Sequence, residues 1–195
     1  MSHREPLSHG FPADPWDLVL DWLPGEPNQF LFTLSTLDDG VPDARTLVLS
    51  EVSREGFFFH TDVASRKVAQ IEADPHVALT VLDLDNAHQL VVQGTALRAA
   101  TGEIAQAYRD RGTYLQQLAW MNTHEFAALE QSEREHRWAQ FETERTHGFT
   151  QPEGWTGFVV RPSRLTFWLG SADTASRRVE YKMESDEWTA TFRAG

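Results

Sequence analysis

The sequence predicts a mainly β fold with helices (α+β): an antiparallel barrel of short strands carrying helical insertions. Three observations predict it. Short apolar runs recur through residues 29–100 and again through 155–193, separated by Gly, Asp and Ser turns. Between them, Thr101 to about Glu144 is rich in Glu, Gln, Ala and Arg and carries helical signals. Regular βαβ alternation is missing, which argues against a doubly wound sheet.

Composition bounds the rest. Of 195 residues, 41% are hydrophobic, enough apolar material for one well-buried core. One domain over 14–195 is therefore expected, behind a loose polar arm at 1–13 and with a helical insertion at about 101–150. Seventeen Lys and Arg against twenty-nine Asp and Glu leave a net charge of −12, which argues against a non-specific nucleic-acid partner. The absence of Cys excludes disulfides, thiolate zinc sites and a Cys nucleophile. No apolar run reaches the roughly 20 residues that span a bilayer. MSHREPLSHGFPADPWD lacks the apolar segment of a signal peptide. A soluble cytoplasmic protein with no membrane partner is the expectation.

The elements follow in order. Asp14-Pro15 reads as an N-cap with Pro at the first helical position, Trp16, Val19, Leu20 and Leu23 follow at helical spacing, and Pro24-Gly25 ends the helix. QFLFTLSTL (29–37), the turn Asp38-Asp39-Gly40 and ARTLVLSEV (44–52) read as a hairpin, because Asp-Gly supplies the positive φ such turns need. FFFHT (57–61) is a third strand, and Ser65 to Ala73 a short helix with Ser65 as cap. HVALTVL (76–82) and QLVVQGTALRAA (89–100) are strands, and the helical stretch breaks near Gly112. After a Gly/Pro loop at 145–154, residues 155–162, 164–170, 177–183 and 187–193 read as closing strands.

The most informative segment is His60-Thr61-Asp62-Val63-Ala64-Ser65-Arg66-Lys67. A helix N-terminus carries free N–H groups and a positive partial charge, and disfavours a cation in its first turn by about 0.3–1 kcal/mol. Arg66 and Lys67 nonetheless sit there together. A bound anion such as a phosphate removes the conflict; two long cations reaching into water is the plainer alternative. Arg45 interrupts an apolar strand on the face of Leu47 and Leu49, either as a second phosphate ligand or as an edge arginine with its head in solvent. Gln89 at a strand end could read the polar edge of a heterocycle or simply face water. Trp168 could flank a ring or pack in the core. The eight His show no metal spacing, and no Gly-rich phosphate loop or Gly-x-Ser-x-Gly elbow is present.

PDARTLVLS, then GFFFHTDVASRKVAQIEADPHVALTV, HQLVVQGTA, RPSRLTFWLG and RRVEY together resemble the pyridoxamine 5′-phosphate oxidase family of FMN-binding split β-barrels. The resemblance runs from about Asp14 to Phe192 and is weakest from Thr101 to about Gln151. It implies a homodimer with FMN in clefts between subunits. Arg45, Arg66 and Lys67 would hold the FMN phosphate beside Ser65, with His60 and Thr61 near the flavin. Arg45, Thr46, Leu47, Val48 and Ser50 would line the cofactor and Gln89 would meet the ring edge. Trp168 and Arg178 would come from the partner subunit. The family's substrate grip is largely replaced: its Lys falls on Ser50, its Arg and His on Thr174 and Ser176, its Tyr on Ala107 beside Tyr108, and its Ser on Leu115, while Arg111 matches a substrate Arg. Tyr108, Arg111 and Ser176 are the remaining candidate substrate contacts.

The resemblance thus implies a flavin-dependent oxidoreductase acting on a small, aromatic or heterocyclic substrate, with poor turnover of pyridoxamine phosphate. Two alternatives stay open. One is a true pyridoxamine-phosphate oxidase with a shifted clamp. The other is a non-enzymatic flavin or haem carrier, for which His88 and His124 would be the haem candidates.

Overall fold

The computed structural model describes residues 10–24, 28–145 and 148–195. Most of the expected arm (1–9), Gly25 of the expected helix stop, and Thr146 and His147 of the Gly/Pro loop lie outside the described residues. The chain is already docked at Phe11, which is buried, and at Pro12, whose carbonyl accepts from the Tyr181 hydroxyl at 2.8 Å.

Helix α1 (Pro15–Trp22) starts where the sequence places it: Asp14 Oδ1 accepts the Trp16 N–H at 3.0 Å, and Trp16 and Val19 face the core. Strands β1 (Phe30–Asp38) and β2 (Val41–Leu49) form the hairpin. Its turn residues Asp39 and Gly40 both have positive φ, 49° and 80°, the two-residue geometry that matches strand twist. There follow β3 (Glu51–Ser53), β4 (Gly56–Asp62), α2 (Arg66–Ala73), β5 (His76–Asp83) and β6 (His88–Arg98). The helical insertion comprises α3 (Thr101–Arg109), α4 (Thr113–Met121), α5 (His124–Ala127) and α6 (Gln131–Glu144), and Gly112 is the N-cap of α4. Strands β7 (Trp155–Leu169), β8 (Arg177–Glu184) and β9 (Glu187–Ala194) complete the fold.

All the strand pairings are antiparallel, in the order β2-β1-β5-β6-β7-β4-β3, with β8 and β9 continuing from β7. Only Ser50 separates β2 from β3, and its N–H donates to the Phe58 carbonyl at 2.8 Å. One nearly continuous strand therefore pairs with β1 at one end and β4 at the other, which closes the barrel. The barrel is split because β7 pairs with β4 over Trp155–Val160 and with β8 over Arg164–Leu169.

The two strands expected at 155–162 and 164–170 are one. Pro162 does not break it because Ser163 is an extra residue at a bulge opposite Gln93 and Gly94, where no ladder N–H is required. Gly94 is the residue that permits the bulge: a Cβ there would lie 2.1 Å from the Arg161 carbonyl oxygen. Phe32, Leu34, Phe57, Phe59, Leu79, Leu90, Val92, Leu165, Phe167 and Tyr181 fill the barrel. A satellite cluster of Tyr108, Phe149 and Trp155 fastens the helical insertion to the start of β7. Among the described residues no helix is long and apolar enough to cross a membrane.

Candidate functional site

The segment from β4 to α2 builds a cationic corner. Ser65 occupies the N-cap position of α2 in extended conformation, but its side chain makes no capping bond, contrary to expectation. Its hydroxyl accepts from Lys67 Nζ instead, which also donates to Thr61 Oγ1 at 3.0 Å. The first-turn N–H groups thus lack the acceptor that a Ser cap ordinarily supplies. Burial pushes the Lys67 ammonium below its usual range, the nearby Arg45 pushes it further, and Asp62 partly offsets both. Arg66 extends from the same turn and is 72% exposed; its only ion pair among the described residues is to Asp43 Oδ2 at 2.7 Å.

Arg45 is not an edge arginine with its head in solvent. It turns inward on the face of Leu47 and Leu49. Its Nη1 donates to Thr36 Oγ1 at 2.6 Å and to the Leu34 carbonyl at 3.4 Å, and its Nη2 to Asp43 Oδ2 at 2.6 Å and Gln70 Oε1 at 2.8 Å. The buried Thr36 hydroxyl donates to Gln70 Oε1 at 2.7 Å, and Gln70 Nε2 donates to Asp43 Oδ2 at 2.9 Å. Gln70 and the two guanidinium groups hold the Asp43 carboxyl below its usual range. Sequence reasoning missed Asp43, Thr36 and Gln70. Asp43 stands two residues from Arg45 on the same strand face, and Gln70 four residues from Arg66 on the same helix face, which is the signal that was present.

Strand alternation also divides the stretch expected to line a cofactor. Arg45 and Leu47 face inward, and Leu47 packs on the core. Thr46 and Val48 face the other side of the sheet. Gln89, Trp168 and Arg178 occupy one cross-strand row, Gln89 opposite Trp168 and Trp168 opposite Arg178. Gln89 therefore belongs with the pair expected from a partner subunit, and the row is built on β6, β7 and β8, away from the α2 corner.

His60 and its neighbours form a third group. His60 is buried, its Nδ1 lies 2.9 Å from Ser50 Oγ, and its ring stacks on Trp155 at 5.4 Å and 10°. The ring rests on Gly157, where a Cβ would lie 2.5 Å from His60 Cδ2. Burial, helped by Arg111, lowers the His60 pKa to about 4, so the imidazole is neutral at physiological pH. Arg111 is buried with its Cζ 4.2 Å over the Trp155 ring, and burial lowers its pKa to about 10. Among the described residues, His60 Nε2 and Arg111 Nε have no hydrogen-bond partner. Tyr108 packs edge-on against Trp155 and its hydroxyl donates to the Gln116 carbonyl at 3.3 Å. Trp155, which organises this group, went unnoticed in the sequence because nothing local marks it. Ser176 is not part of the group: it lies at the open end of the β8–β9 hairpin, where its carbonyl accepts the Gly195 N–H. Of the haem candidates, His88 stacks on Trp22 at 3.9 Å and His124 opens the short helix α5 on the surface.

A cavity of about 620 Å³ opens between the β2–β4 corner and α3. Ser50, Ala107 and Phe58 line it, and so do the acidic residues Glu51, Glu55, Glu103 and Asp110, of which Glu103 accepts the Ala100 N–H and Asp110 the Gln106 amide. Arg54, also in the wall, is bound to Asp14 at 2.5 Å and Asp17 at 3.1 Å.

A family model described as pyridoxamine 5′-phosphate oxidase matches residues 22–148. The pyridoxine/pyridoxamine 5′-phosphate oxidase of Rubrobacter xylanophilus is 36% identical over 168 residues, 84% of this chain and 75% of that protein. That of Flavobacterium johnsoniae is 30% identical over 198 residues, 95% and 91% of the two chains. Among solved structures, PhzG from Burkholderia lata 383, in complex with tetrahydrophenazine-1-carboxylic acid, superposes with a TM-score of 0.77 at 18% identity, covering 94% of both chains. A pyridoxamine 5′-phosphate oxidase-related, FMN-binding protein from Nostoc punctiforme gives 0.69 at 15%, covering 85% of this chain and 88% of that one; both likenesses concern the fold. The chain is a split-barrel protein, and it belongs to the pyridoxamine 5′-phosphate oxidase family.

Proposed function

We propose that the protein is an FMN-dependent oxidoreductase whose small ring substrate carries no phosphate, and that it works as a homodimer. The FMN part rests on the cationic corner. Arg66 and Lys67, the Ser65 and Thr61 hydroxyls and the first-turn N–H groups of α2 offer a phosphate its charge-assisted donors, and Lys67 is a half-buried cation short of negative charge. When bound, FMN supplies two-electron transfer. Arg66 and Lys67 would hold its phosphate, and Gln89, Trp168 and Arg178 of a second copy would meet its ring. The separation of corner and row along β7, Thr61 opposite Thr156 and Gln89 opposite Trp168, supports the homodimer reading, in which a second copy brings its row to each corner. Near the substrate, His60 offers a neutral imidazole and Arg111 a buried guanidinium that has no carboxylate partner among the described residues.

The observation that carries the substrate claim is the cavity. Where the family pattern calls for a Lys and a Tyr to hold a substrate phosphate, Ser50 and Ala107 open a space walled by four carboxylates. A phosphate dianion loses its partners there and meets like charge. Arg111 and the names of the curated relatives favour a second reading, a pyridoxamine-phosphate oxidase with a shifted clamp.

Turnover of pyridoxamine phosphate separates the two. We expect kcat/KM at least 100-fold below that of the Rubrobacter relative measured in parallel, rising when Ser50→Lys and Ala107→Tyr are combined. Turnover equal to the relative's would overturn the substrate claim and leave the flavin claim standing.

A further inference from the structure

We propose that Asp43 is a built-in counter-anion of the cationic corner, which holds Arg66 in the absence of cofactor and yields it to a phosphate monoester; the inference rests on the FMN reading above. One oxygen, Asp43 Oδ2, takes Arg45, Arg66 and Gln70 together, at 2.6, 2.7 and 2.9 Å. These three contacts are unequal. Arg45 and Gln70 are also tied to Thr36 and to each other, so their bonds to Asp43 are the outer edge of a saturated buried network. Arg66 has no such second anchor, and exposed ion pairs of this kind are weakly held.

A phosphate arriving at α2 would therefore take Arg66 and leave Arg45 in place. All four terminal N–H bonds of Arg45 are already committed. Arg45 fixes Asp43 and adds its charge to the corner. Asp43 competes for one guanidinium and sets how tightly the phosphate end is held.

The test compares FMN with riboflavin, which has the same ring and no phosphate, by fluorescence titration of the full-length protein. Asp43→Asn keeps the shape and an acceptor for Arg45 and Gln70 and removes the charge. It should tighten FMN at least threefold and change riboflavin less than twofold. Asp43→Ser should move FMN in the same direction, which guards against a defect peculiar to asparagine. In an Arg66→Ala background the gain should vanish. FMN binding that is unchanged or weaker in both variants, or a change equal for both flavins, would overturn the role of Asp43. If the wild-type protein binds FMN no better than riboflavin, the cofactor reading itself falls, and this inference with it.

Discussion

The corner beside Thr61 and the cavity beside Ser50 are built from side chains of opposite sign. Thr61 accepts from Lys67 in a corner where Arg45, Arg66 and Lys67 outnumber the carboxylates of Asp43 and Asp62. Ser50, the partner of His60, lines a cavity that Glu51, Glu55, Glu103 and Asp110 also line, and the Arg54 in that wall is already paired elsewhere. A chain of net charge −12 has gathered three cations at the corner proposed to hold an anion. Next door it has let its acids accumulate where the family pattern holds a second phosphate. The comparison teaches that two neighbouring regions of one barrel can be read independently, because each has its own charge balance.

The largest expected effect breaks the cationic half. Arg66→Ala with Lys67→Ala removes two charge-assisted contacts of about 1.5–3 kcal/mol each, so FMN affinity should fall more than 100-fold while the melting temperature stays within a few degrees. An unchanged dissociation constant would erase the distinction between the two regions.

A second experiment sharpens where the ring half comes from. Trp168→Ala with Arg178→Ala should also lose FMN. Co-expressed with the Arg66→Ala/Lys67→Ala chain under a second tag, the mixed dimer should regain one flavin per two chains, because one corner and one row remain intact across the interface. No recovery would place corner and row in the same protomer's site.

The smallest effect concerns His60. The folded protein keeps this imidazole neutral down to about pH 4, whereas the unfolded chain protonates it near 6.5. Between those values the unfolded state holds the extra proton, so stability declines as pH falls from 6.5 towards 4, by up to roughly 3 kcal/mol from this group. In His60→Gln, denaturation midpoints across that window should fall less steeply than in the wild type; parallel slopes would show that His60 is not held neutral.

Much of this comparison was legible in the sequence, and the part that was not has a physical reason. The Asp39-Gly40 turn, the Asp14 cap and the Arg66-Lys67 pair at a helix start are local features, fixed by φ/ψ preference and dipole electrostatics within a few residues. The continuity of β7 through Pro162 depends on Gly94 in a strand far away along the chain, and local propensity points the wrong way there. Arg45 was recognised as unusual, but its partners Thr36 and Gln70 arrive from β1 and α2, so the sequence did not show that its donors were spent. The acidic cavity is assembled from β3 and α3 only on folding, and its residues read separately as ordinary surface carboxylates.

The central claim, that the cationic corner holds FMN, is tested most directly by purifying the protein, releasing bound small molecules with acid and identifying them. The account predicts a yellow protein that yields FMN at one molecule per chain, and none after Arg66→Ala with Lys67→Ala. A colourless protein that takes up no FMN when it is supplied, or one that releases haem, would contradict it.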